Sequence, residues 1–213
     1  MSARRVRQSW WRRERIAILL LPVVLVAAIA ATSSRVDEYW WQRGFHEQAP
    51  RDASGVVSID DRYDDGFLRY PIRADVSLVS AEPVTAVPGA YKPMRLPTGA
   101  RLWEVRLSWS ADPDVSLTGC TIALVDADGN RYDIDRLSFE SGAVTTVETC
   151  VPDETPGPRP KPGSTAPPAT APGEAPRPGS WSTRSYLVVP EDVEPTAVRV
   201  WWLLPTYAEL PLD

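Results

Sequence analysis

The sequence predicts a mainly β protein, an antiparallel β-sandwich preceded by a single N-terminal transmembrane α-helix. Ile16–Ser34 is a run of nineteen residues without a charge, long enough for a helix across a hydrocarbon core of roughly 30 Å. From Ile72 onward, short segments alternate apolar and polar residues between prolines and glycines that favour turns. This spacing of strands and turns is typical of a sandwich.

The residues that flank the apolar run predict its orientation. Residues 1–15 contain six arginines and one glutamate, a net charge of +5. The positive-inside rule then predicts a cytoplasmic tail at residues 1–15, a signal-anchor helix at residues 16–34 and an extracytoplasmic remainder. Ala28-Ile29-Ala30 has the small-x-small form of a cleavage site, so a cleaved signal peptide is the alternative. Aromatic residues suited to the two interfaces of the lipid bilayer bracket the run: Trp10, Trp11, Trp40 and Trp41.

Charge excludes one class of partner. The whole chain carries −5, so the part after residue 15 carries −10. Nucleic-acid binding needs a basic footprint, and no nucleic acid is expected as a partner. Arginine is far commoner than lysine, and Ala, Val, Pro and Asp are abundant, which favours a GC-rich bacterial genome.

The exterior part divides into a juxtamembrane segment at residues 35–70, with Val56–Ile59 as a short strand, and a β-sandwich domain at residues 71–213. Trp103, Val105, Leu107 and Trp109 alternate with polar residues, as in a strand buried on one side. The other predicted strands are Ile72–Leu78, Cys120–Leu124, a hairpin partner at Asn130–Ile134, Val147–Val151, Ser185–Val189 and Ala197–Leu203.

A proline-rich insertion at residues 152–180 separates two groups of predicted strands. It contains ten prolines in twenty-nine residues, which favours an extended, partly polyproline II loop without a packed core. Strands lie on both sides, so the segment is interpreted as a loop inside one domain. The loop is either bare and flexible or carries O-linked sugar, for which the acceptors are Thr155, Ser164, Thr165 and Thr170.

Cys120 and Cys150 are the only cysteines. An even number in an exterior domain predicts a disulfide. Two buried free thiols, or bonding between chains, are the alternatives. A redox role lacks a C-x-x-C pair.

The sequence predicts no catalytic residue, metal site or cofactor. The Asp126-Ala-Asp-Gly-Asn130 turn resembles the start of a calcium loop, but Arg131 and Leu137 occupy the positions that need glycine and glutamate. The single histidine, His46, has no neighbouring cysteine for a zinc site. Nucleotide-binding and nucleophile-elbow motifs are absent, so the chain is predicted not to be an enzyme, with a hydrolase as a remote alternative.

Tryptophans supply the only candidate binding surface. Trp103 and Trp109 lie on the predicted inward face and belong to the core. Trp201 and Trp202 point to opposite faces of one strand, so one of them is expected outside or under a loop. Trp181, Trp201 and Trp202 are therefore the candidate surface for a sugar or a protein partner; packing against the proline-rich loop is the alternative.

Three segments together resemble a known family: Trp103-Glu-Val-Arg-Leu-Ser-Trp109, Cys120-Thr-Ile-Ala-Leu-Val-Asp-Ala-Asp-Gly-Asn-Arg-Tyr132 and Tyr186-Leu-Val-Val-Pro190. They resemble telokin-like, immunoglobulin-like extracytoplasmic domains of unknown function in actinobacterial membrane proteins and lipoproteins. The resemblance covers Ile72–Leu204 and implies an immunoglobulin-like fold without known catalytic residues. The expected function is a membrane-anchored interaction or accessory module whose partner is another envelope or membrane protein. A cell-wall or glycan-binding module that uses an exposed tryptophan is the alternative.

Overall fold

The computed structural model of the protein describes residues 15–88, 96–133 and 150–212. Side chains at 15–17, 33–34 and 36–38 lie outside this description, as do the predicted interface residues Trp10 and Trp11. The chain divides into two compact units, Met1–Gly44 and Phe45–Asp213.

The first unit contains helix α1 (Arg15–Val36) and a π-helical turn at Asp37–Trp41. Nine large apolar side chains of α1 are exposed, and so are Tyr39, Trp40 and Trp41. Among the residues that the structure describes, no helix has the combination of length and hydrophobicity needed to cross a membrane.

The second unit is mainly β, as predicted, and forms two sheets. The described residues form nine strands: β1 (Glu47–Gln48), β2 (Val57–Asp64), β3 (Arg69–Val84), β4 (Ala100–Ser110), β5 (Thr121–Asp126), β6 (Arg131–Asp133), β7 (Ser180–Pro190), β8 (Pro195–Trp201) and β9 (Thr206–Pro211). The five-stranded sheet has the order β1-β9-β8-β5-β6, and the four-stranded sheet has the order β2-β3-β4-β7. All described pairings are antiparallel except β1 with β9, which is parallel.

One hydrophobic core joins the two sheets, as expected for a sandwich. On β4, the predicted alternation is confirmed: Trp103, Val105, Leu107 and Trp109 are all buried. The same core cluster contains buried residues of the opposite sheet, namely Ile122, Leu124, Val198, Val200, Ala208 and Leu210.

The structure differs from the predicted boundaries. The predicted domain start at residue 71 falls inside β3, because the segment before it already pairs as β1 and β2. Strand β9 was not predicted. Residues 147–149 of the predicted strand Val147–Val151 lie outside the described residues, and Cys150 and Val151 are not in a strand.

The proline-rich insertion has more internal structure than an extended loop. Arg159 and Ala169 form an antiparallel bridge, with N–O distances of 3.1 and 3.2 Å. The guanidinium of Arg159 also donates to both carboxylate oxygens of Glu174, at 3.1 and 2.8 Å. At its C-terminal end, Arg177 is buried and donates to backbone carbonyls. Arginine side chains thus supply hydrogen bonds that proline nitrogens cannot donate.

Candidate functional site

The outer face of the five-stranded sheet carries a cluster of aromatic and arginine side chains. We call it the Phe45 surface; its members are Phe45, Arg131, Arg199, Trp201, Tyr207 and Glu209. Strand alternation positions four of them. On β8, Val198 and Val200 are buried in the core, so Arg199 and Trp201 face outward. On β9, Ala208 and Leu210 are buried, which turns Tyr207 and Glu209 outward.

Pairing at the start of the domain brings Phe45 to this face. The backbone N–H groups of His46 and Glu47 both donate to the carbonyl of Pro205, at 3.3 and 3.1 Å. Two residues later, Ala49 N–H donates to the carbonyl of Tyr207 at 2.8 Å. These bonds add β1 to the edge of β9 and place Phe45 beside the outward side chains of β8 and β9.

Phe45 is the centre of the surface. Its ring lies edge-to-face with Trp201, at a centroid separation of 5.1 Å, and with Tyr207, at 5.2 Å. Two guanidinium groups lie over the same ring, with Cζ of Arg131 at 4.7 Å and Cζ of Arg199 at 5.3 Å. Each cation–π contact at an exposed site contributes about 0.5–1 kcal/mol. Contacts among its own side chains therefore stabilise the arrangement of the Phe45 surface.

The two arginines differ in charge compensation. Nε of Arg199 donates to Glu209 at 2.6 Å, in a partly buried ion pair. Arg131 is exposed and forms no ion pair with the described residues. Its Cζ lies 5.9 Å from the ring centroid of the half-buried Trp201. The surface thus presents an exposed cation beside a partly exposed indole.

The structure separates the three tryptophans that were predicted to form one surface. Trp201 belongs to the Phe45 surface. Trp181 and Trp202 are buried, at 9% and 7% exposure, and lie against Trp109, stacked at 6.3 Å and edge-to-face at 6.4 Å. Their indole N–H groups donate to the carbonyls of Cys150 and Leu117, both at 3.0 Å. This placement corrects the prediction, because Trp181 and Trp202 expose no face to a ligand.

The predicted disulfide between Cys120 and Cys150 is confirmed, with the Cα atoms 6.1 Å apart. Neither cysteine of the chain is free. Cys150 is fully buried, and its carbonyl accepts the Trp181 hydrogen bond. The disulfide therefore links Cys120, which directly precedes β5, to the residue whose carbonyl binds the indole of Trp181.

Acidic side chains in the β5–β6 turn and in the β2–β3 turn accept local hydrogen bonds. Asp126 accepts from Asn130 and from the Tyr132 hydroxyl, at 2.9 and 2.8 Å. These bonds lower the pKa of Asp126, with the Asn130 side chain as the largest cause. In the β2–β3 turn, Asp64 pairs with Arg69 at 2.8 Å. Within residues 15–88, 96–133 and 150–212, no three metal-binding side chains cluster.

One buried carboxylate lies on the outer face of the four-stranded sheet. Glu104 on β4 is 2% exposed. It accepts a hydrogen bond from the Tyr186 hydroxyl at 2.7 Å and another from Nε of Arg106. The Tyr186 bond is the largest of the effects that lower the pKa of Glu104, and burial opposes it. Glu104 therefore stabilises the sheet in its charged form.

Comparisons of the chain with protein-family models, with curated proteins and with solved structures found no match.

Proposed function

We propose that the chain is a single-pass membrane protein whose extracytoplasmic, immunoglobulin-like domain is an interaction or accessory module without catalytic activity of its own. The observation that carries this proposal is the charge-free run Ile16–Ser34 after a tail of net charge +5. A run of that length and flanking charge fits an anchor with its N-terminus inside the cell.

The surface of α1 supports the same proposal. Its nine exposed large apolar side chains all lie between Ile18 and Ile29, and apolar patches of this extent are rare on proteins surrounded by water. Tyr39, Trp40 and Trp41 follow directly and are exposed, as expected for an aromatic belt at a bilayer interface. Both features fit a helix that is surrounded by lipid.

The second unit supports an extracytoplasmic location and a binding role. A disulfide persists in oxidising compartments and is rare in reducing ones. The Phe45 surface combines tryptophan, tyrosine and arginine, the residue types enriched at energetic hot spots of protein interfaces. The partner is, in this proposal, another envelope or membrane protein. The immunoglobulin-like assignment rests on the resemblance of the three segments, together with two antiparallel-rich sheets around one core.

Labelling of introduced cysteines tests the topology. Both native cysteines are in the disulfide, so Ser2→Cys and Asp192→Cys each provide one reactive thiol. A membrane-impermeant maleimide applied to intact cells should label Asp192→Cys, and should label Ser2→Cys only after permeabilisation. Labelling of both before permeabilisation, or recovery of a shortened chain from the medium as expected for a cleaved signal peptide, would contradict the anchor.

Trp201 favours a second candidate function, binding of a cell-wall glycan. A half-buried indole beside an exposed guanidinium can stack on one face of a sugar ring and donate hydrogen bonds to its hydroxyls. Retention of the purified full-length chain on cell-wall material tests this candidate. It predicts retention that Trp201→Ala abolishes and that the buried Trp202→Phe leaves unchanged. Equal retention of wild type and Trp201→Ala would exclude the Phe45 surface as a glycan site.

A further inference from the structure

The Phe45 surface carries one positive charge that no carboxylate of the described residues neutralises. Arg199 pairs with Glu209 at 2.6 Å, so these two charges cancel. Arg131 is exposed and forms no ion pair with any residue that the structure describes. With two arginines and one glutamate, the surface has a net charge of +1, whereas the chain after residue 15 carries −10. The surface is therefore a cationic site on an acidic domain.

The side chain of Arg131 is held in position before any partner binds. Its Cζ lies 4.7 Å from the ring centroid of Phe45 and 5.9 Å from that of Trp201. Its backbone pairs with Val125 in the β5–β6 hairpin. The Asp126 carboxylate in that hairpin closes the turn through hydrogen bonds of its own. A partner that binds this guanidinium therefore loses little side-chain entropy.

The donors of the Arg131 guanidinium define the group that it can bind. A guanidinium has several N–H donors in a planar fork and no acceptor. Among the described residues, none accepts a hydrogen bond from this fork. Carboxylate and phosphate match the fork because each accepts a bidentate pair of hydrogen bonds. Since the guanidinium lies on the outer face, the matching group comes from another molecule.

The aromatic side chains around Arg131 favour a carboxylate on a protein. The rings of Phe45, Trp201 and Tyr207 are all partly exposed, so they offer apolar contacts beside the cation. A folded partner can present an aspartate or glutamate next to an apolar side chain and satisfy both features at once. Opposite charges placed in this way set the orientation of a partner and speed its association.

We propose that an aspartate or glutamate of the partner protein pairs with Arg131 at the Phe45 surface, with an apolar side chain of the same partner against Trp201. This inference rests on the interaction module proposed above, which leaves the chemistry of the partner open. It adds the group that an envelope or membrane protein must present in order to bind.

Zero-length cross-linking of the full-length chain in intact cells tests the pairing. A water-soluble carbodiimide activates a carboxylate, and an amine in contact with that carboxylate displaces the activating group as a urea to form an amide. Arg131→Lys supplies this amine and keeps a cation that can lie over Phe45. Arg184→Lys, exposed on the outer face of the other sheet, is the matched control. The only native lysines are Lys92 and Lys161, so mass spectrometry can assign adducts to the introduced amine.

The expected adduct is an amide between the amine at position 131 and an aspartate or glutamate of one envelope protein. Its yield should be at least about fivefold higher than with Arg184→Lys, as for a contact that complementary charge orients. Adducts confined to carboxylates of the chain itself would overturn the proposal. Adducts to the uronic acid of a wall glycan would also overturn it and would favour the glycan-binding candidate.

Charge reversal separates this inference from the proposed function. With Arg131→Glu, recovery of the partner after cross-linking in the native membrane should fall at least about fivefold, since like charges then oppose each other. Arg131→Lys should retain the partner, and an unchanged unfolding midpoint would show that both variants are folded. Full recovery with Arg131→Glu but loss with Trp201→Ala would overturn the carboxylate pairing and leave the interaction module standing. No partner with any chain would overturn both.

Discussion

Two arginine–tryptophan pairs, with one tryptophan on each sheet, share their chemistry but differ in their surroundings. Arg177 lies over Trp181 with Cζ at 4.7 Å from the ring centroid, and Arg131 lies over Trp201 at 5.9 Å. The first pair is buried; Arg131 is exposed beside a half-buried Trp201. A cation over an aromatic ring therefore marks a binding surface only where the pair remains accessible to a partner.

The buried pair holds the proline-rich insertion on the domain. Nη2 of Arg177 donates to the carbonyls of Asp112 and Val115, at 2.7 and 2.8 Å, and Nη1 donates to Pro156 at 3.3 Å. Gly157, with φ of +82°, leaves room for this side chain, because a Cβ there would lie 3.2 Å from Arg177 Cβ. Burial lowers the pKa of Arg177, and Asp112 opposes that shift. These hydrogen bonds of the guanidinium all go to backbone carbonyls.

The largest effect is expected from Trp181→Ala. This change removes a buried indole that stacks on Trp109 and donates to the Cys150 carbonyl. The free energy of unfolding should fall by about 3–5 kcal/mol, measured by urea denaturation of the full chain in detergent. Trp201→Ala, as the matched change on the other sheet, should cost about 1 kcal/mol. Equal losses would show that the two pairs do not differ as proposed.

Removal of the disulfide should destabilise the domain around the buried pair, since the Cys150 carbonyl accepts the hydrogen bond of Trp181. The bond joins residues thirty positions apart, and the chain-entropy model gives about 3–4 kcal/mol for a loop of that length. The free energy of unfolding of the variant with Cys120→Ala and Cys150→Ala, measured by urea denaturation, should be lower than that of the wild type by that amount. Reduced wild type should match it. A reduced wild type as stable as the oxidised protein would contradict this role.

Arg177→Met keeps an unbranched side chain over Trp181 and removes the hydrogen bonds to the three carbonyls. Leaving buried acceptors unpaired should lower the free energy of unfolding by about 2–4 kcal/mol. Arg131→Met on the exposed pair should change it by no more than about 0.5 kcal/mol. Thermal and urea unfolding of the two variants side by side check this contrast, and it fails if Arg131→Met is the more damaging change.

Glu104→Gln should give a smaller effect that depends on pH. The pKa of Glu104 is lowered in the folded chain, so its charged form adds stability above the unfolded pKa of about 4.3. That stability is lost as pH falls through the folded pKa. Near pH 7, the free energy of unfolding of the wild type should exceed that of the variant by about 1–2 kcal/mol. Unfolding curves at several pH values check that the difference disappears on the acid side; a difference independent of pH would contradict the assignment.

Local patterns predicted what depends on neighbours in sequence. The alternation from Trp103 to Trp109 correctly places these side chains in the core, and the Asp126–Asn130 turn correctly joins two strands, β5 and β6. Pairings between distant segments were not predictable. Phe45 reaches its position only because β1 pairs with β9, and Glu104 is buried on an outer face because Tyr186 and Arg106 lie against it.

The predicted surface of three tryptophans was wrong for Trp181 and Trp202, which are buried. Strand periodicity assigns Trp201 and Trp202 to opposite faces, and the structure agrees: Trp201, the last residue of β8, lies on the outer face, and Trp202 is buried with its indole N–H donating to the Leu117 carbonyl. Trp181 is buried under Arg177, which lies in a segment whose composition favours an extended loop. The sequence of β9 does alternate, with Tyr207 and Glu209 against Ala208 and Leu210, and that signal was available for two of the six residues of the Phe45 surface.

The most direct test of the proposed interaction module is quantitative cross-linking mass spectrometry of the tagged full-length chain in its native membrane. Wild type is compared with Trp201→Ala and with Arg184→Ala, an exposed arginine outside the Phe45 surface. The account predicts one envelope protein at comparable abundance with wild type and Arg184→Ala, and roughly tenfold less with Trp201→Ala, as for a hot-spot residue. Equal recovery with all three chains, or no partner with any, would contradict it.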